Sequence, residues 1–276
     1  MKIAVLSGKG GAGKTTIAVN LALAVGKACY IDCDVEEPNG HLFLRPEPLC
    51  KTAVSTLLPQ FDAEKCTGCR KCVEFCNFHA LIYIKDKPMI FPEVCHSCGG
   101  CSLVCPEHAI SEPPKEIGSV EIGQRGQLQV ITGRMNLGEA SGIPIIRRAL
   151  TLSDHPTTVI DCPPGSACGV MECVSDADYC VLVTEPTAFG FHNFRMVHEL
   201  VTLLGKPCGV VLNKADGTYP PLEQFCAERG LPILGLIPYA PEIAALLSQG
   251  QLLGPHSPEL NRLFLRILSA IEGDVT

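Results

Sequence analysis

The chain has 276 residues, 46% of them apolar and 18% charged, with a net charge of −7. That composition excludes a disordered polymer and argues against a nucleic-acid-binding body, which needs a basic face. No run reaches the ~18 uninterrupted apolar residues of a membrane span, and the apolar stretch after Lys2 is too short for a secretory core, so the expectation is a cytoplasmic protein with no stable membrane insertion.

Residues 2–6 (KIAVL) read as a buried strand, and residues 14–26 carry a helical apolar pattern that ends at Gly26. Between them lies GKGGAGKTT, Gly8 to Thr16, which fits G-x-x-x-x-G-K-[ST] at Gly8, Gly13, Lys14 and Thr15. A loop whose backbone N–H groups converge on phosphate oxygens excludes bulky side chains, which accounts for Gly8, Gly10, Gly11, Ala12 and Gly13. The helix start at Lys14, Thr15 and Thr16 adds partial positive charge. Lys14 is expected to reach the β- and γ-phosphates and Thr15 to ligate Mg²⁺. A second strand at residues 28–32 leads to Asp32 and Asp34, where a carboxylate can orient an attacking water or hold a Mg²⁺-bound one.

The strand–helix alternation breaks between about residues 60 and 114, in a stretch rich in Cys, Gly and Pro. The chain holds 17 Cys, too many for an ordinary long chain without an export signal, so clustered thiols there point to metal. CTGCRKCVEFCNFHAL starts at Cys66, and CHSCGGCSLVCPEHAI repeats it from Cys95, 29 residues later. Both runs read C-x₂-C-x₂-C-x₃-C, the spacing of the bacterial two-cluster ferredoxin; structural zinc favours paired C-x₂-C knuckles instead. Three close thiols hold three corners of one cubane and the fourth ligates the other cluster. That assigns Cys66, Cys69, Cys72 and Cys105 to one [4Fe–4S] cluster and Cys76, Cys95, Cys98 and Cys101 to the second. Asn77 stands where the second run has Pro106. His79 and His108 read as surface neighbours of the cysteines, Pro113–Pro114 as an exit linker, and residues 119–131 as a hairpin turning near Arg125–Gly126.

From residue 155 strands recur at 157–161, 179–184, 208–213 and 233–237, with amphipathic stretches at 190–204, 221–229 and 241–249. This predicts an α/β fold, a mostly parallel P-loop NTPase sheet with an inserted α+β ferredoxin-like module. The boundaries read as 1–60 and 115–276 for the nucleotide-binding domain and 61–114 for the insertion. Residues 259–271 carry one apolar face and read as a packed terminal helix.

The extra lysine of K-G-G-x-G-K-T-T, Lys9, makes this loop resemble the deviant Walker A motif of the MinD/ParA/Mrp and nitrogenase-iron-protein group. The resemblance implies ATP as ligand and an ATP-sandwiched homodimer in which Lys9 acts across the interface beside Lys14 and Asp34. It also implies that Asp34 opens switch I. In VIDCPPG, Asp161 would bind Mg²⁺ and Gly165 would let switch II move, while Asn213 of VVLNKAD would read the base. Asn213 to Asp216 also match the NKxD signature of GTPases, which keeps GTP as the alternative nucleotide. Cys168–Gly169 follows Asp161 at the offset of a cluster-binding Cys-Gly in the nitrogenase iron protein; an interfacial cluster and a free thiol are the two readings of Cys168. The functional expectation is ATP-driven dimer closure coupled to electron transfer through two clusters to a protein redox partner. The alternatives are an Mrp-type carrier serving an apo acceptor and a positioning ATPase with redox-sensing clusters.

Overall fold

The computed structural model describes residues 1–275. Strand β1 (Lys2–Leu6) is apolar on both faces and buried on both, and it runs through the phosphate loop into helix α1 (Lys14–Val25), which stops at Gly26 in a positive-φ conformation. Strand β2 (Cys29–Asp32) and the short helix α2 (Gly40–Leu44) follow. The chain then forms β3 (Glu47–Leu57), which the apolar pattern did not predict. β3 is an edge strand with most of its residues exposed, so EPLCKTAVSTL has neither a continuous apolar run nor a strict alternation to betray it.

Residues 58–113 leave the sheet. They comprise β4 (Gln60–Phe61), α3 (Lys71–Phe75), β5 (Leu81–Ile84), β6 (Lys87–Ile90), α4 (Gly100–Leu103) and β7 (Ile110–Ser111), with β4 paired to β7 and β5 to β6. The 29-residue repeat is written into the backbone. Gly68, Arg70 and His79 take positive φ, and so do their counterparts Ser97, Gly99 and His108. Four of those six are not glycine, and a repeated turn is what holds them in the left-handed region. Ala80 and Ala109, one repeat apart, are both buried.

The chain returns as β8 (Pro114–Arg125), turns at Gly126, and continues as β9 (Leu128–Met135). The expected hairpin is therefore longer than its apolar signal, and Pro114 begins a strand instead of a linker. A proline is tolerated at the first residue of a strand. The rest alternates: α5 (Ile143–Leu150), β10 (Thr158–Asp161), α6 (Cys168–Asp176), β11 (Tyr179–Thr184), α7 (Ala188–Leu203), β12 (Cys208–Ala215), α8 (Pro220–Glu228), β13 (Ile233–Pro238), α9 (Pro241–Ser248), α10 (Leu253–His256) and α11 (Pro258–Val275).

The sheet order is β13-β12-β11-β1-β10-β2-β9-β8-β3. Neighbours are parallel from β13 to β9, and the β9-β8 and β8-β3 pairs are antiparallel. One face packs α5, α6, α7 and α8 through Ile145, Val170, Phe194 and Phe225. The other packs α1 and α11 through Ile17, Leu21, Phe264 and Ile267. The six apolar residues predicted for the terminal helix face, from Leu260 to Ile271, are all buried. Asn20 ties α1 to the C-terminal segment: its Oδ1 accepts from the N–H groups of Leu253 (2.9 Å) and Gly254 (3.0 Å), and its Nδ2 donates to the Thr16 carbonyl (2.8 Å). No helix among the described residues is long and apolar enough to cross a membrane.

Candidate functional site

The phosphate loop sits at the C-terminal end of the parallel strands, where a doubly wound sheet opens its cleft. Gly13 needs its missing side chain twice over. Its φ is 91°, and a Cβ there would lie 2.0 Å from Asn213 Nδ2. A Cβ on Gly8 would meet the Asn193 carbonyl oxygen at 2.2 Å. The Asn213 amide donates to the Ala12 carbonyl (2.8 Å), so the residue expected to read the base braces the loop in the free chain. Gly165 donates its N–H to the Ser7 carbonyl (2.9 Å), which places the expected switch II glycine against the start of the loop.

Lys14 is buried and donates to Asp161 Oδ1 at 2.8 Å; Asp34 Oδ2 lies 3.9 Å away. Tyr30 Oη donates to the other Asp161 oxygen (2.8 Å), so Asp161, fully buried, is held from both sides. A Cβ on Gly40 would strike this tyrosine hydroxyl at 2.0 Å, so the start of α2 is glycine. Asp32 accepts from the backbone N–H groups of Asp34, Asn39 and Gly40 (3.2, 3.1 and 2.9 Å). It therefore fastens the loop that carries Asp34 and caps the first turn of α2.

Three carboxylates and one ammonium share this space. Burial and then the neighbouring Asp161 push Asp32 up to about 7. Burial pushes Asp34 up to about 6, against the pull of Lys14. Burial works to lower Lys14, but facing Asp161 more than offsets it and holds the ammonium charged. Because the Asp32 and Asp34 carboxyls bind protons more tightly folded than unfolded, their contribution to stability is full below about pH 4 and is lost as pH rises through about 6 to 7. Urea unfolding in EDTA should therefore show stability falling by more than about 1 kcal/mol from pH 4 to pH 7 through these groups, and Asp34→Asn should flatten that slope.

Lys9 pairs with Glu185 of its own chain and lies 5.2 Å from the Phe189 ring centroid. Glu185 also accepts from Lys214 (2.9 Å), which in turn donates to the Gly11 carbonyl (2.6 Å). Burial disfavours the Glu185 carboxylate, yet the two lysines hold it below the ordinary glutamate range. No short-range pattern announces this glutamate, because Lys9 and Glu185 are 176 residues apart. Cys168 is exposed at the start of α6 and lines the same cleft, an open space of about 2380 Å³. Of the other cysteines outside the two runs, Cys29, Cys33, Cys162, Cys173, Cys180 and Cys226 are buried.

The two runs of cysteine come together in a defined way. Cys66, Cys69, Cys72 and Cys105 line one cavity. Cys76, Cys95, Cys98 and Cys101 line a second. Each cavity takes three cysteines from one run and the fourth from the other. Backbone N–H groups already point at sulfur: Ala109 donates to Cys105 Sγ (3.3 Å) and Ser97 to Cys95 Sγ (3.5 Å). Among the described residues, no three His, Cys, Asp or Glu side chains converge on a point that one metal ion would fill. Four cysteines around a cavity fit a bulky inorganic cluster better than a lone tetrahedral ion, whose thiolate ligands sit at about 2.3 Å from it.

Residues 3–253 match the CobQ/CobB/MinD/ParA nucleotide binding domain. The chain is 30% identical over 221 residues to the uncharacterised Methanocaldococcus jannaschii protein MJ0579, covering 78% of this chain and 80% of that one. A segment of 42 residues is 57% identical to the iron-sulfur cluster carrier protein of Pyrococcus furiosus, 14% of either chain. In fold the chain is similar to the cell division ATPase MinD of Pyrococcus furiosus, at 21% identity and a TM-score of 0.61, with 99% of this chain and 98% of that chain covered.

Proposed function

We propose, from the premise that this chain belongs to the CobQ/CobB/MinD/ParA nucleotide-binding family, that it is an ATP-hydrolysing iron–sulfur protein. ATP-driven closure of a homodimer is coupled in it to one-electron transfer through two [4Fe–4S] clusters to a protein partner. The observation that carries the reading is the sorting of eight cysteines into two cavities, four to each, with the fourth cysteine exchanged between runs. Cys66, Cys69, Cys72 and Cys105 would hold one cluster and Cys76, Cys95, Cys98 and Cys101 the other, and the clusters would supply the one-electron chemistry. On the nucleotide side, Lys14 and the loop N–H groups bind phosphate, Thr15 and Asp161 serve Mg²⁺, and Asp34 orients water. Anaerobic reconstitution should give about eight iron atoms per chain. Cys69→Ser and Cys98→Ser should each lower that number toward four; an unchanged count in both, or fewer than four irons in the parent protein, sinks the reading.

A second reading, a carrier that hands a labile cluster to an apo acceptor, is favoured by the short match to the Pyrococcus furiosus carrier. Exposed Cys168 at the cleft is the thiol it would use. Transfer of iron to an apo-ferredoxin that stops in Cys168→Ala but continues in Cys98→Ser would favour it over electron transfer.

Dimer closure requires Lys9 to leave Glu185. Glu185→Gln removes one charge from that partly buried pair, and such a pair is worth about 1 kcal/mol. With a non-hydrolysable ATP analogue, and one such pair released in each protomer, the variant should therefore dimerise about thirtyfold more tightly in sedimentation velocity. Equal or weaker dimerisation would show that the pair is no restraint.

A further inference from the structure

Resting on the cluster reading above, we infer that the two cysteine-lined cavities are unequal, and that the second alone senses what occupies the phosphate-loop cleft, through a stacked Phe78–His96 pair. Phe78 and His96 line the second cavity, and the same two residues line the cleft that holds Lys9, Lys14, Asp34 and Cys168. No residue of the first cavity does so. The rings stack with centroids 4.1 Å apart and planes 19° from parallel, and as the two residues that line both spaces they form the partition between them. Phe78 is 41% exposed, and what it faces is the cleft.

The repeat itself marks the pair as a departure. One repeat away, the counterpart of His96 is Thr67 and that of Phe78 is Glu107, and both of those line the first cavity. Ala80 and Ala109, and the left-handed residues, keep the duplication intact around them. At these two positions a stacked ring pair is thus confined to the cavity next to the nucleotide site. It sits close to the cysteines in sequence: His96 follows Cys95 directly, and Phe78 lies two residues after Cys76.

The physical consequence has a sign. A cluster ringed by four thiolates is anionic, and reduction makes it more so. A nucleotide–Mg²⁺ complex brings net negative charge into the cleft and displaces water from the outer side of the partition. Charge and dehydration both disfavour the more anionic, reduced state, so the second couple moves to lower potential. The interaction falls off with distance, and faster where solvent ions screen it, so the first couple, which shares no wall with the cleft, moves less. By reciprocity, reduction of the second cluster weakens nucleotide binding by the same factor.

The test is an EPR-monitored redox titration of the full, anaerobically reconstituted chain with dithionite and mediators, without and with MgADP. Iron is counted first; fewer than four irons per chain overturns the cluster reading and this inference together. Cys69→Ser and Cys98→Ser identify which signal belongs to which cavity. The expected result is a shift of the Cys98-sensitive couple by about tenfold in its reduction equilibrium, about 59 mV for one electron, with at most a third of that in the other. Phe78→Ala, which opens the partition to water without touching a cysteine, should raise the resting potential of the second couple and leave the first in place. His96→Asn is the milder variant should Phe78→Ala fail to assemble its clusters. Equal shifts in both couples, a shift in the first alone, no shift, or a second couple indifferent to both variants would overturn the inference while leaving an eight-iron protein standing.

Discussion

Lys14→Ala should lower nucleotide hydrolysis by orders of magnitude and, in the nucleotide-free protein, cost about 3–5 kcal/mol of stability. The two losses have different origins. On the proposed function, hydrolysis falls about 10²–10³-fold because a donor aimed at developing phosphate charge would be gone. Stability falls because Asp161 is fully buried and Lys14, at 2.8 Å, is its counter-ion. Asp34 and Asp32 crowd the same space, so the remaining Tyr30 hydroxyl bond to Asp161 must stand against three carboxyl groups. A second substitution separates the effects. In Lys14→Ala/Asp161→Asn the buried charge is removed and the Tyr30 bond can still form, so at least half of the lost stability should return in urea titrations. Hydrolysis should not return. Stability equal in the single and double variants would mean that the pair is not what secures this end of the sheet.

Asn20→Ala should cost about 2–4 kcal/mol in the same titration, an effect comparable to a core truncation from a residue that touches no ligand. Asn20 is buried and satisfies three backbone groups, the N–H of Leu253, the N–H of Gly254 and the C=O of Thr16. Alanine leaves the two N–H groups stranded beside α1, and each stranded buried group costs about 1–3 kcal/mol. Asn20→Asp keeps the acceptor and loses only the bond to Thr16, so it should recover more than half of the loss. Because Thr16 belongs to the phosphate loop, Asn20→Ala should also weaken MgADP binding in calorimetry, whereas Asn20→Asp should weaken it less. Equal stability of the alanine and aspartate variants would overturn the account.

What could be read from residue order alone divides along physical lines. Strands buried on both faces were legible because nothing but an apolar run serves there, as in KIAVL and YCVLVT. The phosphate loop was legible because only glycine fits at Gly8 and Gly13, where a side chain would collide with Asn193 and Asn213. The cysteine spacing carried even the exchange of the fourth residue between cavities. What escaped was anything set by partners far along the chain. β3 is stabilised by its ladder to β8 and not by its own pattern. Glu185 acquires its role only when β11 brings it beside Lys9 and Lys214. Asn213 reaches Ala12 across 201 positions, a brace that no local motif encodes.

The way residues 58–113 are attached has an engineering consequence. β3 and β8 are antiparallel neighbours whose ladder closes with Leu57 opposite Pro114, and Leu58 N–H still bonds to the Pro113 carbonyl one step beyond. The excursion therefore leaves and re-enters the sheet through one doorway a strand spacing wide, about 5 Å. Topologically it is a single, very long hairpin loop. Splicing Leu57 to Pro114 with a two-residue type I′ turn such as Asn-Gly would turn β3 and β8 into an ordinary hairpin. The nucleotide-binding scaffold could then be prepared without the eight clustered cysteines, with no strand of the nine-stranded sheet cut.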